Sequence, residues 1–159
     1  MLTSTLLFRL LLAAILGALI GWERQKLAEK PAGTKTYALV TVGSALFTLI
    51  SQFGFLGRTV DPSHVAGQIV IGIGFLGAGM ILTHGGKIAG LTTAAGLWVA
   101  AGIGMAIGVG WTEVAIVLAL CIFASFFWSD GSDLIKPKVR AILAKLLKPR
   151  TENNKQNDI

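Results

Sequence analysis

Long stretches of this chain carry almost no ionisable side chain, and that pattern restricts the folds open to it. There is none between Arg9 and Glu23, only Tyr37 between Lys35 and Arg58, none in residues 65–83, and none from Gly90 to Thr112. A hydrocarbon core about 30 Å thick is crossed by roughly 20 apolar residues in a helix, because a helix alone satisfies its own backbone in lipid. With 53% apolar residues, 14% charged and a mean hydropathy of +0.72, the chain is too oily for a soluble domain of 159 residues.

Five spans follow, at residues 6–22, 36–55, 65–83, 93–110 and 112–128. The first lacks a basic stretch ahead of it, and Gly21-Trp22-Glu23-Arg24 makes a poor cleavage sequence, so it reads as a retained span. Gly108, Gly110 and Thr112 supply a tight turn between the last two. The lysines and arginines support that division. With five spans, Arg24, Lys26, Lys30, Lys35, Lys87 and the basic residues of the tail share one side, leaving Arg58 opposite and Arg9 near the outer end of span one. The positive-inside rule then places the N-terminus outside and the tail in the cytoplasm. Trp22, Tyr37, Trp111 and Trp128 fall at predicted interfaces, where amphipathic rings settle.

The expected fold is therefore an all-α membrane bundle of five helices over residues 1–130. A short basic amphipathic helix follows at 131–150, and a polar, disordered tail at 151–159. Between Pro137 and Lys148, Val139, Ile142, Leu143, Leu146 and Leu147 share one side and basic residues the other, which suits an anionic leaflet or the underside of the bundle. The net charge of +6 sits beside apolar runs, pointing to a lipid surface and not to nucleic acid.

Small residues recur at four-residue steps: Ala13, Gly17 and Gly21 in span one, and Gly96, Ala100, Gly104 and Gly108 in span four. Such stripes let backbones approach closely, which matters where lipid offers helices little hydrophobic drive. Span three carries Gly72, Gly74, Gly77 and Gly79 on more than one face and is expected at the centre. Gly17, Gly21, Gly74, Gly77, Gly104 and Gly108 are thus the candidate packing positions, within the chain or between two copies. In span two, Tyr37, Thr41, Ser44, Thr48 and Ser51 form a hydroxyl stripe, which could line an ion path but more economically supplies interhelical hydrogen bonds.

Catalytic signatures are missing: there is no nucleophile elbow, phosphate loop or His/Cys cluster. The GxGxxG at Gly72–Gly77 lies inside an apolar span with no preceding strand, so it does not signal a dinucleotide. No enzyme activity, cofactor or assignable metal ligand is expected. Charged and polar groups at span ends are the candidate binding residues: Arg9, Glu23, Arg24, Lys35, Asp61, Gln68, Thr92 and Thr93. Arg9 lies within the outer part of the bilayer and needs a partner, with Asp61 or Glu113 as the acids in prospect.

Four blocks in order carry a resemblance. They are Gly21-Trp22-Glu23-Arg24-Gln25, Pro31-Ala32-Gly33-Thr34-Lys35-Thr36, Gly72-Ile73-Gly74-Phe75-Leu76-Gly77-Ala78-Gly79, and Gly90-Leu91-Thr92-Thr93-Ala94-Ala95 with Trp98. Together they resemble the MgtC/SapB family of bacterial inner-membrane proteins. Lys35 and His64 stand where relatives commonly have arginine. The resemblance implies a five-span membrane domain, roles in growth at low magnesium and, in pathogens, survival inside macrophages. It further implies regulation by contact with other membrane proteins, including the proton-translocating ATP synthase, in preference to transport. Longer members carry a folded cytoplasmic C-terminal domain, whose functions are not expected of this sequence. The partners anticipated are the bilayer itself and either a second copy, as a homodimer, or a larger membrane protein.

Overall fold

A computed structural model describes residues 2–25, 32–55, 61–84 and 87–126. The basic amphipathic helix, the polar tail and the Trp128 end of the fifth span lie outside the described residues.

Apolar content without breakers produces the first helix, α1 (Leu2–Gln25), which is longer at both ends than the span expected. α2 (Thr34–Phe53) begins after Gly33 and ends at Gly54. Asp61 and Pro62 start α3 (Pro62–Met80): Asp61 caps it from extended backbone by accepting from the Ser63 N–H, and proline occupies the first turn, where no N–H is needed. α3 stops three residues before the expected end. There the chain turns through an antiparallel hairpin, β1 (Leu82–His84) with β2 (Lys87–Ala89), registered Leu82 on Ala89. α4 (Leu91–Val109) follows directly, and Gly110 at φ +104° closes it. After Trp111, α5 (Thr112–Phe126) runs to the edge of the described residues. α1 to α4 are each long and apolar enough to cross a membrane; the described part of α5 is shorter.

The core sits on α2 and α4. α2 touches α1, α3 and α4, and α4 touches α1, α2 and α3. This reverses one expectation, because α3 is peripheral. Only Ile73 and Gly77 are buried along it. Glycine tolerates close approach but does not compel it, and the glycines of α3 have no neighbour matched to their spacing.

The stripes of α1 and α4 are used within the chain. A Cβ built on Gly17 would lie 2.9 Å from the Ala38 Cα, and one on Gly21 would lie 2.7 Å from the Thr34 Cα, so α1 rests directly on the α2 backbone. On α4, Gly104 faces the Thr41 carbonyl and the Ser44 Cβ, while Gly108 faces the Thr48 Cβ. The glycine stripe of α4 and the hydroxyl stripe of α2 are therefore two sides of one seam. Gly77 meets Ala94 at 3.6 Å, and Gly74 meets nothing within 4 Å among the described residues. Contact within lipid depends on packing more than on burial from water, so this seam and the close contact of α1 with α2 supply the cohesion.

The hydroxyls at the two ends of the stripe, Tyr37 and Ser51, bridge helices as expected, but those of Thr41 and Thr48 between them do not. Thr41 Oγ1 donates to the Tyr37 carbonyl and Thr48 Oγ1 to the Ser44 carbonyl, each one turn back in α2. Ser51 Oγ reaches the Pro62 carbonyl and ties α2 to the start of α3. Back-bonding hides a hydroxyl at no cost in helix separation, which suits a surface that must lie flat on glycine.

Candidate functional site

The polar side chains collect at the two ends of the bundle. At one end, the last turn of α1 brings Glu23 and Arg24 into the interior, 3% and 1% exposed. Arg24 Nη2 donates to Thr93 Oγ1 over 3.2 Å, and its guanidinium carbon stands 4.2 Å from the centroid of the Phe126 ring. The Tyr37 hydroxyl donates to the Thr93 carbonyl at 3.4 Å and lies against Gly96. One cation thus joins α1, α4 and α5, with α2 contributing its tyrosine. Arginine suits this post because its flat guanidinium can stack on a ring while its edge donates. Its Nε, however, is buried and has no acceptor among the described residues.

Gly33 and Gln25 build the approach to that end. Gln25 Oε1 accepts from the Thr34 N–H at 3.2 Å, capping α2 with a side chain from α1. Lys35, one residue further, is exposed, as is Thr92 at the start of α4.

At the opposite end, Arg9 is half-buried and Nη1 donates to the Gly108 carbonyl over 3.0 Å. Where the sequence suggests Asp61 or Glu113 as its counter-charge, the structure supplies the negative end of α4 instead. A backbone carbonyl carries no sequence signal, so this partner was not legible. A Cβ on Gly110 would come within 2.7 Å of Arg9 Nη2, which adds steric reason to its left-handed glycine.

Asp61 and Gln68 stand apart from both clusters. Asp61 is exposed and accepts from the Ser63 hydroxyl at 2.9 Å and the Ser63 N–H at 2.8 Å. Those two hydrogen bonds, the side-chain one first, hold its carboxyl below the usual carboxylate range, with a smaller contribution from His64. Gln68 opens onto a groove of about 520 Å³ between α2 and α3, walled by Leu39, Phe47, Ile69 and Leu76 with Ser44 at its floor.

Of the eight candidates, then, Arg24 and Thr93 touch, with Glu23, Lys35 and Thr92 at the same end. Arg9 marks the other end, Asp61 is a helix cap, and Gln68 lines a groove. Sequence reasoning missed Phe126 and did not foresee that Tyr37 is buried against Gly96. Its place four residues ahead of Thr41 in the seam was the available clue. Among the described residues, no three His, Cys, Asp or Glu side chains are grouped to hold a metal ion.

Comparison with known proteins agrees with the blocks that surround this site. YhiD of Escherichia coli K12, whose name carries a provisional assignment as a magnesium transporter, is 46% identical over 99 residues, covering 58% of this chain and 46% of YhiD. Protein MgtC of Salmonella typhimurium LT2 is 47% identical over 95 residues, covering 60% of this chain and 39% of the relative. Protein MgtC of Brucella abortus is 48% identical over 83 residues, covering 52% and 34%. The matches thus span less than half the length of each of these relatives. No solved structure matches the chain. The family model for MgtC matches residues 10–130, from within α1 to beyond Phe126, and this multi-pass membrane protein belongs to the MgtC family.

Proposed function

We propose that this chain is a non-enzymatic, five-span protein of the bacterial inner membrane that acts by helix contact, with a second copy or a larger membrane protein. Its setting is adaptation to low magnesium or survival inside a host cell, with the N-terminus outside and the tail in the cytoplasm. Two facts support the fifth span. α5 starts beside the Arg9 end, and its Phe126 ring packs over Arg24 at the other. The basic residues of the loops and tail then face one compartment.

The observation that carries the contact reading is the exposed face of α3 that borders the groove beside α2, whose lining includes Gln68 and Gly72. Gln68, Gly72, Phe75 and Gly79 follow four- and three-residue steps, the spacing of a helix–helix seam. All four are exposed, Phe75 by 82%, and Cβ atoms built on Gly72 and Gly79 meet nothing within 4 Å among the described residues. An amide in lipid gains from a partner, and glutamine both donates and accepts, so two copies related by a two-fold axis can satisfy each other. Gly96, Gly104 and Gly108 of α4 cannot serve this purpose, since α2 already covers them.

Energy transfer between labelled copies in liposomes tests the proposal. The variant Gln68→Leu with Gly72→Leu should weaken association at least tenfold while the monomer stays folded; undiminished transfer would refute it. A second reading, ion transport, draws on the name of the Escherichia coli relative. The hydroxyls of Thr41 and Thr48 bond back to their own helix, so such a path would have to run elsewhere. Protein-dependent Mg²⁺ flux into sealed liposomes would favour it over the contact reading.

A further inference from the structure

The start of α4 combines two positively charged features that ought to avoid each other. Gly90 precedes the helix in the left-handed conformation and, lacking a side chain, gives the first turn no cap of its own. The first helical bond runs from the Ala94 N–H to the Gly90 carbonyl, so the N–H groups of Leu91, Thr92 and Thr93 have no acceptor within the helix. These groups form the positive end of the helix dipole. Behind them stands Arg24, buried to 1% exposure, bonded through Nη2 to Thr93 Oγ1 and carrying an Nε with no acceptor among the described residues.

A cation is stabilising at the C-terminal end of a helix, as Arg9 is at the other end of α4, and unfavourable at the N-terminal end. Burial sharpens that cost, and a buried donor left unmet adds to it. Glu23 is buried at the same end and has an interaction of its own, yet among the described residues Arg24 Nε stays without an acceptor. The approach is open, because Leu91 and Thr92 are exposed, and Lys35 adds another exposed cation at this end. Uncapped N–H groups, a hydroxyl and a guanidinium make up the donor set that phosphate oxygens accept from.

We propose that the first turn of α4, backed by Arg24, binds the phosphate group of an anionic ligand. The Leu91 and Thr92 N–H groups and the Thr92 hydroxyl donate to its oxygens, and Arg24 supplies the charge behind them. The ligand is either the headgroup of an anionic lipid or a soluble phosphate compound, both reached from the Arg24 end. This site stands whether or not the helix-contact proposal does.

The full chain, stripped of lipid in detergent, is offered phosphatidylglycerol with phosphatidylcholine as the control, and separately inorganic phosphate. Native mass spectrometry reads the first and calorimetry the second. The critical variant is Thr92→Glu, whose carboxylate would occupy the same turn. A negative charge suits a helix N-terminus, so this variant should melt no lower than the parent while losing anion binding at least tenfold. Arg24→Gln should also lose binding; if it fails to fold, Thr92→Glu still decides. Selective retention of phosphatidylglycerol, lost in Thr92→Glu, supports the site with lipid as the source. Binding of inorganic phosphate, lost in the same way, supports it with a soluble source. If the parent binds neither probe, or Thr92→Glu binds as well as the parent, the proposal is overturned.

Discussion

Adding one methyl group at Gly104 should push α2 and α4 apart. The new Cβ would sit on the Thr41 carbonyl and 2.9 Å from the Ser44 Cβ, where nonbonded carbon atoms prefer about 3.5–4.0 Å. Its obstacle is backbone, which cannot rotate aside as a side chain would. The helices must therefore separate by an appreciable fraction of an ångström along the seam from Tyr37 to Thr48. A gap of about 0.5–1 Å forfeits a quarter to a half of each dispersion contact, and roughly 25 atom pairs at about 0.15 kcal/mol apiece then lose about 1–2 kcal/mol. The same change at Gly72 meets nothing within 4 Å among the described residues. There alanine should keep only its advantage over glycine in a helix interior, about 0.5 kcal/mol at the low end.

Alanine's advantage over glycine applies equally inside α4, so the two variants should differ by the packing loss alone, about 1–2 kcal/mol, a factor of roughly 5–30 in the unfolding equilibrium. Steric trapping in bilayers, or reversible unfolding in mixed micelles, measures that difference on the full chain. Gly104→Ala should unfold more readily than the parent, and Gly72→Ala should match or exceed it. Equal stability of the two variants would refute the reasoning. It would mean that the glycines of α4 are not held against α2 and that the stripe is free for another partner.

Three further outcomes follow from other parts of the molecule. Arg9→Leu should destabilise the bundle by about 1–3 kcal/mol, the usual worth of a hydrogen bond to a charged group, with Arg9→Lys recovering part of it in the same unfolding assay. The folded-state carboxyl of Asp61 lies below its unfolded value, so its cap is complete above the ordinary carboxylate range and is lost only as pH falls through the lowered value. The Ser63 amide resonance should therefore titrate at a pH below that of an ordinary aspartate, and Asp61→Asn should abolish the transition. Phe126→Leu should leave Arg24 without its ring and release the end of α5, detected as faster proteolysis or hydrogen exchange over residues 120–126, while residues 2–20 keep their protection.

The existence of the helices was legible because it rests on composition along the chain. Lipid excludes charge, so uncharged runs mark helices whatever their neighbours do. Boundaries set by a local signal, such as Asp61-Pro62 before α3 or the glycine at 110, were legible for the same reason. The hairpin at 82–89 was not, since strands of three residues are too short to show a period. The partners of each stripe lay beyond the sequence as well. A four-residue step fixes which residues share a face, but the face that meets it belongs to another helix. Gly104 and Gly74 look alike in the chain; one is pressed against Thr41 and the other lies open. What separates them is that Tyr37, Thr41, Ser44 and Thr48 repeat with a matching step in α2, whereas no second stripe matches α3. The candidate site shows the same limit. Glu23, Arg24, Thr92 and Thr93 could be chosen from residue type at span ends. That Arg24 points at the wrong end of a helix dipole, with one donor unmet, emerges only when α1 is laid against α4. A misfit between neighbouring charges is a property of pairs, which is why the sequence marks the residues and the fold supplies the reason to suspect an anion at that turn.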